Sequence, residues 1–517
     1  MRFGEVKHPV PSHQPLAPQW RVTDERLVDS VGGASYSPVR VTHNTMNVPL
    51  VCDYGSGFSK VGFSGTEAPL AMFPTILGKL RHDNPLVGMQ EEDWFIGDEA
   101  QKKRGELNLQ HPISRATITN WDNMEKIWHH SFYQALRIAP EQHPLMVTEP
   151  PLNITSNKEK MSQGVTSLLS EMQTQQRSVP FDVSVLLHVG PAWKSSPDSR
   201  APNFPLDLPP RKELVILFET FNVPALYLAN QGVLSLYASG RTSGTTIESG
   251  EGMTYFVPVI DGCPLHQSTI QMDMAGQDLT LYLLQLLTDS GHSLVSTGDW
   301  EYIRHVKEKC CYVALDFDKE KLKADSPSYA QKYQLPDGQE ITLGQEKFLC
   351  PEGLFQADIM VRVDLSEQGH SQHCDESGVF AAQAHACWVW HVLDDSRRSA
   401  FSDFIPRLRG RNGLGIHMKA FQSVSSCNSA LWKVLFGHIV LSGGTSSCSG
   451  LRFRMQREIA ALVSPTINVK VSTCPSSIYS AWLGGSILCS LSTFKDMWVT
   501  SKEYKDIGSS IISRRAL

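Results

Sequence analysis

The 517-residue chain has no Cys-x-x-Cys pair, and its eleven cysteines are scattered, two of them adjacent at Cys310 and Cys311. An odd, unpatterned set of this kind excludes a disulfide framework and a zinc site and points to reduced thiols in a cytosolic or nuclear setting. No apolar run approaches the ~18 residues that a bilayer-spanning helix needs. Residues 387–392 and 487–491 are apolar but short, and they read as buried structure. Residues 1–11 lack an apolar core, so no secretory leader is expected. A basic excess is missing too: the formal net charge is -6, which leaves no electrostatic footprint for nucleic acid. Arg407, Arg409 and Arg411 form a small basic cluster that reads as a solvated loop.

What is present is an ordinary globular composition, 41% hydrophobic and 19% charged, on a chain too long for a single core. Two or more lobes are expected. Residues 1–47 are polar, Pro-bearing and aperiodic and read as a flexible arm; order begins at Val48 in a strand that runs into a glycine hairpin. Residues 121–138 place Met124, Ile127, Trp128, Phe132 and Leu136 at helical spacing, with Asn120 as the cap and Pro140 as the stop. A second helix opens at 156–163 on Ser156 and Glu159. From about 164 to 217 the sequence turns Pro-rich and aperiodic, like a long insertion, and 361–413 is a second irregular stretch. Residues 226–238 read as one packed helix closed by Gly240. Further helices are expected over 276–290 and 299–311, a hairpin with an Asp-Gly turn over 335–341, and a strand over 438–441 that feeds Ser442-Gly443-Gly444-Thr445 and a helix over 451–462.

Two segments carry chemistry. Asp53-Tyr54-Gly55-Ser56-Gly57 follows one apolar strand, and Glu248-Ser249-Gly250-Glu251-Gly252 follows another. In each, an acidic residue leads through Gly-x-Gly into a second strand. Glycines let the backbone turn tightly and bring its N–H groups close to an anion. Ser56 adds a hydroxyl, and Lys60 places a cation for phosphate oxygens. Carboxylates cannot bind phosphate, but they can hold the water shell of Mg²⁺. One Gly-x-Gly turn is a common structural device. Two in matching context, with glycines of the 442–445 loop beneath a helix start, describe a clamp on a triphosphate.

On these residues the chain resembles actin and the actin-related proteins. The similar stretches are 51–65, 87–105, 118–135, 149–163, 218–244, 275–287, 306–317, 335–356 and 480–498, and the string Ile118-Thr119-Asn120-Trp121-Asp122-Asn123-Met124-Glu125-Lys126-Ile127-Trp128-His129-His130 is highly specific. The run 432–445 and the substituted loops point to a divergent, testis-type member. The resemblance implies an α/β, two-lobed ATPase fold of four subdomains over 48–517, with Mg-ATP or Mg-ADP in a central cleft and head-to-tail assembly. By position it implies Asp53, Gly55, Ser56, Gly57, Phe58 and Lys60 on the phosphate side. Gln231 takes the place of the residue that positions the attacking water, and Glu248, Gly250, Glu251 and Gly252 form the second hairpin. Gly276, Arg304, Lys307, Glu308, Gly443 and Gly444 fall on the nucleoside side. Asp53 and Glu248 would hold Mg²⁺ through water. Arg304, Lys307 and Glu308 also sit at helical spacing, as an exposed charged face would. An apolar groove for helices of partner proteins is implied at Tyr237, Gly240, Thr242, Ile487, Leu488, Leu491 and Met497; core packing explains Ile487 and Leu491 equally well.

The departures matter. Both carboxylates of the second hairpin are Glu where the family usually has Asp, which is expected to move the charge outward. Tyr255 replaces a histidine that helps activate water, and a phenol is a poor base near neutral pH. Cys448 and Ile478 replace an aromatic side chain and a lysine on the adenine side. At most weak ATP hydrolysis, lowered nucleotide affinity and poor self-assembly are expected. The alternative is a non-cycling interaction protein that has lost its nucleotide. A metabolite kinase is rejected because no separate substrate motif occurs. The two irregular stretches are either a dedicated interaction surface or translated non-coding sequence. Cytoskeletal partners are expected, with the cytoplasm and cytoskeleton as the setting and the nucleus left open.

Overall fold

A computed structural model describes residues 48–80, 94–152, 216–292, 299–335, 338, 340–362, 413–474, 476–508 and 511. The chain divides into two units, Met1–Thr42 and His43–Leu517, and the elements below all belong to the second. The arm over 1–47, the helix expected over 156–163, the cluster Arg407, Arg409 and Arg411, the run 387–392 and nearly all of the two irregular stretches lie outside the described residues.

The elements that position the site are, in chain order, β1 (Leu50–Tyr54), β2 (Phe58–Phe63), β3 (Ala71–Pro74), α1 (Trp121–His129), β4 (Leu145–Glu149), β5 (Ala225–Asn230), α2 (Gln231–Ala238), β6 (Gly244–Ser249), β7 (Thr254–Ile260), β8 (Cys263–Pro264), α3 (Gly276–Asp289), α4 (Asp299–Cys310), β9 (Ile439–Ser442), α5 (Leu451–Leu462), β10 (Val471–Thr473), α6 (Ser480–Ser490) and β11 (Val499–Thr500). They build two sheets, ordered β11-β5-β4-β1-β2-β3 and β8-β7-β6-β9-β10. Each sheet combines one antiparallel hairpin with a parallel neighbour: β1 pairs β2 antiparallel and β4 parallel, and β6 pairs β7 antiparallel and β9 parallel. The inner strands are buried along nearly their whole length; β5 and β9 are largely apolar, whereas β6 buries Thr245, Thr246, Glu248 and Ser249. This is the α/β, two-lobed architecture that the resemblance implied.

The 121–138 periodicity is borne out in its buried face, since Met124, Ile127, Trp128, Phe132 and Leu136 are all buried. Asn120 caps the helix by accepting the Asn123 N–H at 2.9 Å. The helix nevertheless closes before Pro140. It widens into a π-helical turn over His130–Leu136 and ends where Arg137 turns left-handed.

The helix expected over 226–238 is corrected. Residues Ala225–Asn230 are a strand, and only Gln231–Ala238 is helical. A short, wholly apolar run cannot be assigned by period. Here all six residues are buried between β4 and β11, and a parallel ladder outbids local helix preference. Asn230 makes the switch by accepting the Gly232 and Val233 N–H groups at 2.9 and 3.4 Å. Gly240 ends the segment in a left-handed conformation, as expected.

Two further expectations shift. The Gly443-Gly444 loop opens a single 3-10 turn at Thr445–Ser447, and α5 starts only at Leu451, so the glycines do not lie under that helix's first turn. Residues 487–491 are not uniformly buried, because Ile487 and Leu491 are 42% and 50% exposed. Among the described residues no helix is long and apolar enough to cross a membrane.

Candidate functional site

The first hairpin holds its chemistry in register. Asp53 on β1 lies directly opposite Lys60 on β2, and the Gly55 N–H donates to the Phe58 carbonyl at 3.0 Å to close the turn. Asp53 is buried, and each of its carboxylate oxygens is occupied. Lys60 Nζ donates to Oδ2 at 2.9 Å. Thr148 Oγ1 and Gln231 Nε2 donate to Oδ1 at 2.6 and 3.0 Å. Lys60 comes from the antiparallel partner β2, Thr148 from near the end of the parallel neighbour β4, and Gln231 from the start of α2, so three elements each deliver one partner to one carboxylate. Ligands gather at such strand ends in open α/β sheets.

The second hairpin repeats the plan with a difference. Gly250 N–H donates to the Met253 carbonyl at 3.2 Å, and Glu248 faces Tyr255 across the ladder. The Glu248 carboxylate does not move outward. It is buried and accepts hydrogen bonds from Ser442 Oγ at 2.6 Å and from Ser235 Oγ. The extra methylene is spent on reaching a serine cluster where β9, α2 and α6 converge, with Ser480 as its third member. Burial pushes the Glu248 carboxyl above its usual value against the pull of the two serine hydroxyls. Burial likewise holds the Tyr255 phenol well above its usual value. A group so reluctant to ionise cannot serve as a general base near neutral pH.

The two hairpin tips face each other. A Cβ placed on Gly57 would lie 3.1 Å from Glu251 Cβ, and one on Gly252 would lie 2.7 Å from Ser56 Oγ. These glycines are required by the close approach of the tips. Gly250 and Gly444 differ, because a Cβ on either would meet nothing within 4 Å. Both face open space, as a cradle for a ligand would. The carbonyls of Gly250 and Glu251 accept the Gly276 and Gln277 N–H groups at 3.0 and 2.9 Å, which ties the second tip to the start of α3 and satisfies two of its free amides. Thr445 Oγ1 donates to the same Gly250 carbonyl at 2.7 Å, and Gly443 is left-handed with its Cα packed on the Ser249 carbonyl.

Of the residues expected on the nucleoside side, Gly276, Gly443 and Gly444 converge on this tip. Lys307 reaches it as well, donating from Nζ to the Gly276 carbonyl at 2.6 Å and to Thr280 Oγ1 at 2.7 Å. Arg304 lies over the Phe58 ring with 5.3 Å to its centroid and pairs with Glu301 at 2.7 Å, while its contact with Glu308 is long at 4.0 Å. Arg304 therefore spans from α4 to the first hairpin and is more than an exposed helix face. A small cleft lined by Ser56, Gly57, Glu251, Gln277 and Arg304 opens beside the tips. The loops that carry Cys448 and Ile478 are neighbours, with Ser447 Oγ and Ser477 Oγ 2.6 Å apart. The Cys448 thiol packs against the Cys311 carbonyl with its acidity suppressed by burial, its pKa near 12, whereas Ile478 is 45% exposed.

Sequence reasoning missed Thr148, Ser235, Arg115 and Asp278, and it took Ser442 only as the start of its glycine loop, without the bond to Glu248. A lone Thr, Ser or Arg carries no motif, and only strand adjacency brings them in. Among the described residues no cluster of three or more His, Cys, Asp or Glu side chains could hold a metal ion by itself. The anion half of the site fits a phosphate ligand through Lys60 and the open space at Gly250 and Gly444. The cation half rests on Asp53, since Glu248 is bonded to serines.

Of the residues expected in the partner groove, three share one cluster. Tyr237 on α2 and Leu488 and Met497 pack partly buried in one cluster, beside the exposed Ile487 and Leu491. Gly240 follows on from Tyr237, and the Thr242 carbonyl accepts the Gly262 N–H at 2.8 Å. A family model described as Actin matches residues 45–166 and 209–517, leaving 167–208 between the two matched blocks.

Proposed function

The chain belongs to the actin family, and on that premise we propose that it is an actin-like cytoskeletal protein that binds ATP or ADP with Mg²⁺ between its two glycine hairpins, cuts it slowly or not at all, and does not polymerise alone. The observation that carries this reading is the pair of apposed tips with open space at Gly250 and Gly444 and a lysine already held at the first tip. Asp53 would hold Mg²⁺ through water, and the bound ion would supply positive charge against the phosphates. Lys60 would share its ammonium between Asp53 and a phosphate. Oδ1 of Asp53 already accepts from Thr148 and Gln231, so Oδ2, which takes only Lys60, would be the oxygen for a metal-bound water.

Three features of the chain's own residues argue for slow chemistry. Tyr255 stands where a proton acceptor would be needed, with its phenol kept neutral by burial. The Gln231 amide is engaged by Asp53 and Thr148 at 3.0 and 3.2 Å. The second carboxylate, Glu248, is turned into the serine cluster. That last feature also favours a second reading, a non-cycling interaction protein with an empty cleft that works through the surface around Tyr237, Ile487 and Leu491.

Purified protein is denatured and the released nucleotide quantified. Close to one ATP or ADP per chain supports the first reading, and an empty yet folded protein supports the second. Phosphate release at the rate of ordinary actin overturns the slow-hydrolysis claim. Stoichiometric pelleting of the pure protein in salt overturns the assembly claim.

A further inference from the structure

Phosphates seated at Gly250 and Gly444 would leave the nucleoside to run along the loop that follows, residues 445–448. The short turn Ser477–Tyr479 closes against that loop. The Gly443 N–H donates to the Ser477 carbonyl at 2.8 Å, and Ser447 Oγ lies 2.6 Å from Ser477 Oγ. Tyr312, just past α4, pairs with Ser449, just past the loop. The Lys307 ammonium on α4 is close enough to act on the Cys448 thiol. The base end of the cleft is therefore built from three short pieces: 445–448, 477–478 and the last turn of α4.

A site tells one base from another with a fixed donor or acceptor aimed at the base edge, and a site built that way rejects the wrong base strongly. These pieces offer nothing of the kind. Ser447 and Ser477 are already bonded to each other, and a hydroxyl turns to donate or accept as required. Each would meet a base amine and a base carbonyl alike. Lys307 is committed to the Gly276 carbonyl and Thr280 Oγ1. The Cys448 thiol, a weak donor, rests on the Cys311 carbonyl. Ile478 presents only an aliphatic edge. Glu308 leans toward the phosphate side, 4.0 Å from the Arg304 Nε. Stacking is missing too, since none of residues 307–310, 445–448, 477 or 478 carries a ring or a guanidinium. The phosphate end is the reverse, with a fixed ammonium at Lys60 and two rigid tips.

We propose that the cleft holds nucleoside di- and triphosphates by their phosphates and does not discriminate among the bases, so that ATP, GTP, CTP and UTP are equivalent ligands. The inference rests on the nucleotide reading above and says which part of the ligand is held. Cys448 and Ile478 are the positions that decide it. A ring at 448 would supply a stacking face, which favours the larger purines, and a cation at 478 would supply a fixed donor. The thiol and the aliphatic chain supply neither.

The test titrates the full-length protein, in Mg²⁺, with an ATP that carries a fluorophore on its ribose. ATP, GTP, CTP, UTP and ribose 5-triphosphate, which has no base, compete for the site. The four nucleotides should displace the probe at concentrations within about threefold of one another, and the baseless triphosphate within about tenfold of them. One nucleotide favoured by about tenfold or more over the other three overturns the inference and leaves the nucleotide reading standing. A probe that does not bind overturns the nucleotide reading, and this inference with it. Lys60→Met should weaken all four nucleotides alike. Cys448→Tyr should open a gap of about tenfold between purines and pyrimidines that the parent lacks. Where Cys448→Tyr does not fold, Ile478→Trp supplies the ring at a position already 45% exposed. A folded ring variant that binds all four as evenly as the parent overturns the placement of the base against this wall.

Discussion

The Asp53–Lys60 pair can be weighed by a double-mutant cycle. The two side chains are only 5% and 12% exposed, and they meet at 2.9 Å. Lys60→Met removes the cation and leaves Asp53 its two neutral donors, Thr148 and Gln231. The loss should be about 1–2 kcal/mol, the scale of one charge-assisted bond exchanged for apolar volume. Asp53→Asn keeps an oxygen for Thr148 and Gln231 but strands a nearly buried ammonium, which should cost about 3–4 kcal/mol. Asp53→Ala would add the loss of both remaining bonds and approach the ~5–15 kcal/mol that holds a whole domain folded, so Asn is the measurable choice. In the double variant the stranded charge is gone, and the total should fall short of the sum by about 2 kcal/mol. Urea unfolding followed by far-UV circular dichroism supplies all four corners. With saturating Mg-ATP the coupling should shrink, because Lys60 then has phosphate oxygens as a second partner. Additive effects, with a coupling below about 0.5 kcal/mol, would refute the claim that these residues hold one another. A coupling that nucleotide leaves unchanged would refute the claim that Lys60 faces the ligand.

Burial raises the phenols of Tyr54, Tyr227, Tyr255 and Tyr282 above the ordinary value of 10.0, so the fold favours their neutral form. Their contribution to stability is present in full below pH 10 and is lost as pH climbs toward the folded-state values. Phenolate absorbance should therefore fill in two stages, the second coinciding with alkaline unfolding; a single smooth titration centred near pH 10 would contradict the burial. Where α2 crosses α6, a Cβ on Gly484 would collide with the Leu234 carbonyl and sit 2.8 Å from its Cα. Since both sides are backbone and cannot rotate away, Gly484→Ala should destabilise by about 3 kcal/mol or more by chemical denaturation, and a cost under about 1 kcal/mol would show that the helices part freely.

Much of the helical and hairpin structure was legible because it is local. Asn120 announced its helix, since a cap is a bond to residues two or three positions away. The bounds of α3, α4 and both glycine hairpins followed from period and turn residues. The strand β5 was not legible, because Ala225–Asn230 is apolar throughout and its identity depends on β4 and β11 lying on either side. The reach of Glu248 was misjudged for the same reason. Its extra methylene suggests displacement toward solvent until Ser235 and Ser442, 13 and 194 residues away, are seen to receive it.

By itself the sequence determined that an acidic residue, a Gly-x-Gly turn and a second strand occur twice, and that a lysine, Lys60, follows the first turn. Those are properties of short segments, governed by backbone sterics and two-residue alternation. Only the tertiary structure decided that the tips face each other through Gly57 and Glu251, that Thr148 and Gln231 complete the Asp53 shell, and that Arg115 reaches Asp278 across 163 residues. Those contacts arise from sheet order and helix crossing, which no local spacing encodes.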